Sequence, residues 1–241
     1  VPEEAKASRR LTTGPSLADQ AYEALRDDIT SGRLTADNKI TERWLAQRLG
    51  VSPTPVREAL TRLEHEHLIE RGEGNAIRVA EPSLAHLHEL SLIEAALRGV
   101  AARIAAVSAS DRELAKLSSL CEEVEKIGQA FSTDAKVQEK VLRLTREFHL
   151  LVDKASHNPT LVKMIATATA FDWSFRKRFA PELYGEVRSP VEGHLQHREI
   201  LDALLARDGQ RAEDIMRHHI LQATEAFMAI ARATADESAT A

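Results

Sequence analysis

The chain holds ten histidines, and their spacing separates those that could share a metal ion from those that could not. No His-Glu-x-x-His run occurs, so the single-helix zinc hydrolase motif is missing. His65 and His67 stand two residues apart, as do His86 and His88. That spacing is about 200° around a helix and puts each pair on opposite faces. The set of interest is His149, His194, His197, His218 and His219. His219 continues the apolar stripe Ala212, Ile215, Met216 and Ala223, so it should face inward. His218 lies about 100° away, beside Arg211 and Asp214, and should be solvated. His197 precedes Ile200 and Leu201 by one helical turn, also inward. His149 flanks the stripe Val141, Leu144, Phe148 and Val152. Three inward imidazoles on three helices are a common way to build a metal site in a bundle core. The alternative is a set of hydrogen-bonded core histidines around a metal-free pocket. Nearby, Arg98, Arg143 and Arg146 offer a second chemistry, the pairing of a ligand carboxylate, unless they serve as surface or salt-bridge residues.

A second stretch with chemical meaning is "LGVSPTPVREAL", Leu49 to Leu60. Ser52 suits a helix N-cap, which makes Pro53 and Pro55 the first and third helical residues. N–H groups there have no intrahelical acceptor, so neither ring forfeits a bond. Pro55 does bias Thr54 away from the α region, a mild conflict. Val56, Ala59, Leu60 and Leu63 then form an apolar stripe, with Thr54, Arg57, Glu58 and Thr61 on the opposite, exposed face.

The elements around that helix follow from caps and breakers. Ser16 with Asp19 resembles a capping box. Ala18, Ala21, Tyr22, Leu25 and Ile29 follow at helical spacing until Gly32. Thr41 can cap a second helix carrying Leu45 and Leu49, with Gly50 at its C-terminal turn. After Leu68 and Ile69, the turn "RGEGN" and the alternation Ile77, Arg78, Val79 predict a two-stranded wing. Helix, helix, short turn, helix, hairpin is the pattern of a winged helix-turn-helix. A small helical domain with no nucleic-acid role is the plainer reading. Leu17 to Ala80 carry nine Arg and Lys against eleven Asp and Glu, so a DNA-binding reading must rest on where the bases sit.

Glu81–Pro82–Ser83 marks a boundary beyond which no strand-like alternation appears. Helices are expected from Ser83 to about Val107, from "SASDREL" onward, over about Asp134–Ser156, Thr160–Phe179, Val191–Ala206 and Gln210–Ala233. Together they make a six-helix antiparallel bundle. The chain is thus mainly α. Residues 1–15 are expected to be a disordered tail, 16–80 the winged domain, 81–83 a linker, 84–234 the bundle and 235–241 a second disordered tail. Phe171, Trp173 and Phe175 in "AFDWSF" read as core or dimer packing. Cys121 is the single cysteine, which excludes an internal disulfide and suits a reducing compartment. No apolar run approaches the ~20 residues of a membrane span. "VPEEAKASRRLTTGPS" lacks the apolar core of a signal peptide. A cytoplasmic location is expected. The net charge of −5 argues against a general nucleic-acid-coating protein.

"ITERWLAQRLGVSPTPVREALTRLEHEHLIE" resembles the winged helix-turn-helix of GntR-family bacterial transcription regulators. "IEAALRGVAARIAA", "REFHLLVDKASHNPTL", "HREILDALLARD" and "MRHHI" resemble, in order, the FCD effector domain of the FadR branch. The resemblance covers about residues 17–232. It implies a ligand-responsive regulator, more often a repressor, that binds a pseudo-palindromic operator as a homodimer through its third helix. By position, Arg43 would contact phosphate, Ser52, Thr54 and Arg57 the backbone or base edges, and the wing near Gly72–Asn75, with Gly74, the minor groove. The family usually has Arg where this chain has Pro53. An Arg–guanine pair is worth ~1–3 kcal/mol, so the operator should differ from the family's consensus.

The same resemblance assigns His149, His197 and His219 to a divalent metal. It expects an Asp where this chain has Thr145. Asp153, one turn beyond His149, lies further from the apolar stripe and is expected to face solvent. Three histidines with open positions suit zinc or nickel, and a small carboxylate effector could complete the coordination. Arg98, Arg146 and Thr145 are the candidate effector contacts. The rival functions are a metal-dependent hydrolase built on the same histidines, which lacks a placed carboxylate base, and an adaptor that binds no DNA.

Overall fold

The computed structural model describes residues 14–72, 76–128, 134–171 and 190–240. The N-terminal residues 1–13, Gly74 of the wing tip, Trp173, Phe175, the stretch 180–189 and the side chain of His194 lie outside the described residues. Contacts divide the chain into two compact units, the first ending at Ala80 and the second running on from Glu81.

In the first unit, helix α1 (Leu17–Thr30) opens on a reciprocal cap. Asp19 N–H donates to Ser16 Oγ at 3.0 Å, and Ser16 N–H donates to Asp19 Oδ2 at 3.1 Å. Helix α2 (Glu42–Leu49) is capped by Thr41, which accepts from the Trp44 N–H. It stops at Gly50, whose φ of +67° lets the backbone turn left-handed. Helix α3 (Pro53–His65) begins after Ser52. Ser52 occupies the N-cap position but its hydroxyl caps no N–H. The third helical residue, a usual donor to such a cap, is Pro55 and has no N–H to give. Val56, Ala59, Leu60 and Leu63 are buried together with Tyr22, Leu25, Ile29 and Leu45. Strands β1 (Ile69–Arg71) and β2 (Ile77–Val79) pair antiparallel, with Ile69 opposite Val79 and Arg71 opposite Ile77.

The second unit holds helices α4 (Leu84–Ser108), α5 (Asp111–Gly128), α6 (Ala135–Ala155), α7 (Pro159–Ala168), α8 (Pro190–Leu205) and α9 (Gly209–Thr240). Its longest seam joins α4 to α9; α4 also packs on α6, α7 and α8, and α5 on α6 and α8. A glycine on α4 makes the close seam possible, because a Cβ on Gly99 would stand 2.5 Å from Cγ of Arg217 on α9. Ala101, Ala102, Ala105 and Ala106 of α4 have no exposed surface. Gly209 is required where α9 starts, because a Cβ there would stand 2.9 Å from the Arg103 carbonyl oxygen. Leu117, Phe148, Val152, Ile200, Leu204 and Met216 fill the centre.

Two boundaries differ from expectation. Helix α7 ends at Ala168 rather than near Phe179. The hydroxyls of Thr167 and Thr169 bond back to the carbonyls of Lys163 and Ile165, and threonine is a weak helix former. Helix α9 runs on to Thr240, through residues 235–240 expected to be a disordered tail. That stretch is rich in alanine and contains no glycine or proline to stop a helix.

Candidate functional site

Three helices of the bundle bring His149 (α6), His197 (α8) and His219 (α9) together, each 5% exposed. His149 Nε2 lies 3.2 Å from His197 Nε2 and 3.2 Å from His219 Nε2. One ligating nitrogen from each ring falls within a 4.8 Å cluster. A tetrahedral ion with metal–nitrogen bonds of 2.0–2.1 Å needs nitrogen pairs about 3.3 Å apart. Two of the three edges already have that length. His219 Nδ1 lies 2.8 Å from Gln196 Oε1, and Gln196 in turn donates to Gln222 Oε1. An amide oxygen only accepts, so His219 carries its proton on Nδ1 and turns the Nε2 lone pair into the cluster. Phe148 packs against His197 with ring centroids 4.9 Å apart and walls the cluster off. The donor set fits a divalent metal that favours nitrogen, such as zinc or nickel.

Thr145, one turn before His149, is half-buried. It lines a cavity of about 10 Å³ together with Cys121, Phe148 and His197. That is room for about one water molecule. Burial pushes the Cys121 thiol up to about 11, so it sits there neutral.

Asp153 corrects the sequence reading. It is 1% exposed rather than facing solvent. Helix α6 packs against α4, α5 and α7 at once, so more than one of its faces is buried and a single-stripe argument fails. Asp153 Oδ2 lies 3.4 Å from Arg98 Nε, and Arg98 Nη1 donates to Glu94 Oε1 one turn back on α4. All three are buried: Glu94 3%, Arg98 5% and Asp153 1% exposed. Desolvation raises the Asp153 carboxyl above its ordinary value, and Arg98 only partly opposes it. Arg98 is buried in the bundle and already holds two carboxylates, which fits the salt-bridge alternative for it. Arg146 is half-buried and Arg143 exposed. His218 is exposed, as its position on the helix predicts.

In the first unit Arg43, Ser52, Thr54, Arg57 and Thr61 are all exposed, on α2 and the outer face of α3. Arg57 is not alone there. Its Nε and Nη2 donate to Glu42 Oε2 at 3.2 and 3.0 Å. Gln196 and the Glu42 contact were both missed from sequence. Gln196 could have been flagged as the neighbour of His197. The Glu42–Arg57 pair, fifteen residues apart, had no periodic signal.

Fold and site together define a class: a winged helix-turn-helix head joined to a helical domain with a buried histidine cluster. Residues 17–79 match the profile of bacterial regulatory proteins of the gntR family, and residues 89–222 match the FCD domain. The chain belongs to this family, with an FCD second domain. It is 31% identical to the transcriptional regulator McbR of Escherichia coli over 150 residues, 62% of this chain and 66% of McbR. It is 27% identical to the transcriptional repressor GlaR of Escherichia coli over 202 residues, 83% of this chain and 90% of GlaR. The first relatives are thus matched over just under two thirds of their length, McbR at 66% and the Bacillus subtilis regulator YdhC at 63%. The solved structure of Escherichia coli McbR superposes with a TM-score of 0.68 at 25% identity, covering 88% of this chain and 97% of McbR. No described helix is long and apolar enough to cross a membrane.

Proposed function

We propose that the chain is a ligand-responsive transcription repressor that leaves its operator when a small organic acid binds the FCD bundle. The observation that carries this reading is the triple-histidine cluster buried in a domain that accompanies a winged helix-turn-helix. A divalent ion held by His149, His197 and His219 would act as a Lewis acid and accept a ligand carboxylate at an open position. Thr145, beside the one-water cavity, would then hydrogen-bond the water or ligand oxygen that stands where the family resemblance expects an Asp. The small size of that cavity means that an organic acid must displace side chains to enter. Binding that favours one arrangement of the bundle over another is what couples it to release from DNA.

The DNA contacts are Arg43 to phosphate and Ser52, Thr54 and Arg57 to the backbone or base edges, with the Gly74 wing tip along the minor groove. Two copies pair to read a two-fold operator. Ile93, Val100 and Val107, seven residues apart on α4 and 51%, 41% and 77% exposed, form an apolar stripe suited to a second copy.

Two measurements on untagged protein test the reading. Elemental analysis should find about one zinc or nickel per chain, lost in His149→Ala. In-vitro selection from random duplexes should yield a two-fold operator, and Arg57→Ala should weaken it by ~1–3 kcal/mol. A metal-free protein even after reconstitution removes the ion from the account. Operator affinity unchanged in Arg57→Ala removes the proposed role of α3.

A further inference from the structure

One carboxylate, Glu42, sits behind the DNA-facing arginines of the first unit. It is the first residue of α2 and is 26% exposed at its side chain. Its Oε2 accepts both the Nε–H and an Nη2–H of Arg57 on α3. Its Oε1 lies 3.5 Å from Nη1 of Arg71 at the end of β1. Arg71 Nε also donates to Glu64 Oε2 at 2.9 Å, one face further along α3. Glu42 is held ionised below its ordinary range, first by Arg57 and then by Arg71. Four charges thus tie the start of α2, the outer face of α3 and the first strand of the wing.

The way Arg57 is gripped carries the argument. A guanidinium has a side edge, made by Nε and one Nη, and an end edge, made by the two Nη groups. Glu42 takes the side edge. Among the described residues nothing bonds Nη1, and the side chain is 61% exposed. The end edge is left pointing outward, in the geometry that meets guanine's Hoogsteen edge or a phosphate with two parallel bonds. Such an exposed pair adds little to fold stability, so stability does not account for it. A long side chain clamped in one rotamer loses less freedom when it binds. The Glu42 charge also repels phosphates, which penalises loose contact with any duplex.

We propose that Glu42 is a positioning residue for DNA reading: it presents the end edge of Arg57 and raises the preference for operator over random DNA. This rests on the DNA-binding function proposed above. The test uses the full chain, the selected operator and a random duplex of equal length, over a salt series. Glu42→Ala should weaken operator binding 3- to 10-fold and leave random-duplex binding equal or tighter. In an Arg57→Ala background the same change should no longer weaken the operator. Glu42→Gln, which keeps shape and an acceptor, should fall between. Matched thermal unfolding of Glu42→Gln and wild type separates positioning from folding.

Loss of selectivity at one base pair in Arg57→Ala identifies a base as the partner. Uniform weakening across duplexes, with a salt slope lower by about one, identifies a phosphate and overturns the claim that Arg57 held by Glu42 raises operator preference. Equal loss for both duplexes, or an unchanged Glu42→Ala effect without Arg57, overturns the proposal. A wild type with no preference for any duplex instead overturns the DNA-reading function, and this role of Glu42 with it.

Discussion

Removing the Arg98 charge should expose how the bundle tolerates two buried carboxylates. Glu94 and Asp153 are 3% and 1% exposed, and the Arg98 guanidinium touches both. At 3.4 Å and an effective dielectric of about 20, one such contact represents ~5 kcal/mol of Coulomb attraction. Arg98→Met keeps much of the volume and relieves the burial cost of the arginine itself, but it leaves two carboxylates without that cation. The net loss should be about 3–5 kcal/mol. Asp153→Asn should behave oppositely. Arg98 keeps Glu94, and a carboxylate whose charge burial disfavours becomes a neutral amide, so the change should lie within about 1 kcal/mol of wild type at pH 7 or be stabilising.

The pH dependence gives a second reading of the same cluster. The folded Asp153 carboxyl is raised above its ordinary 3.8, so the folded state binds that proton more tightly than the unfolded state. Its destabilising effect is full above the raised folded value. It fades as pH falls through that value and is gone below about 3.8. Wild type should therefore gain stability relative to Asp153→Asn as the solution is acidified through that window. Urea unfolding of the metal-free protein, followed by far-UV circular dichroism at several pH values, reads both effects. An Arg98→Met loss below about 1 kcal/mol, or an Asp153→Asn loss as large as that of Arg98→Met, would refute the reasoning.

Two further outcomes are expected. Glu113 is held down to about 2 by the Ser110 hydroxyl, the Ser110 N–H and His157. The stability it contributes is present above 4.5 and lost as pH falls towards about 2, and Glu113→Gln should flatten acid unfolding curves over that range. Pro53→Arg adds a planar donor at the exposed first residue of α3, so selection with that variant should recover a guanine in each half-site that wild type does not require, a gain of ~1–3 kcal/mol for that base.

Local chemistry explains what was legible in sequence. Caps, prolines and glycines act within a few residues, so α1, α2 and α3 and the two wing strands could be placed from Ser16, Thr41, Gly50, Ser52 and the "RGEGN" turn. The inward faces of His197 and His219 followed from helical period alone, because each continues an apolar stripe on its own helix. The ends of α7 and α9 were harder: a threonine-rich stretch and an alanine-rich one differ by tenths of a kcal/mol per residue.

Tertiary structure decided the rest, because those facts belong to pairs of elements. Asp153 is buried because α6 has neighbours on three sides, which no one-dimensional period records. Sequence offered Arg98 only as a candidate partner for a carboxylate, and its burial between Glu94 and Asp153 depends on how α4 crosses α6. The 3.2 Å nitrogen spacings and the Gln196 bond that sets the His219 tautomer exist only where α6, α8 and α9 converge. Glu42 meets Arg57 across the turn between α2 and α3, and the sequence lists both charges without saying that one aims the other.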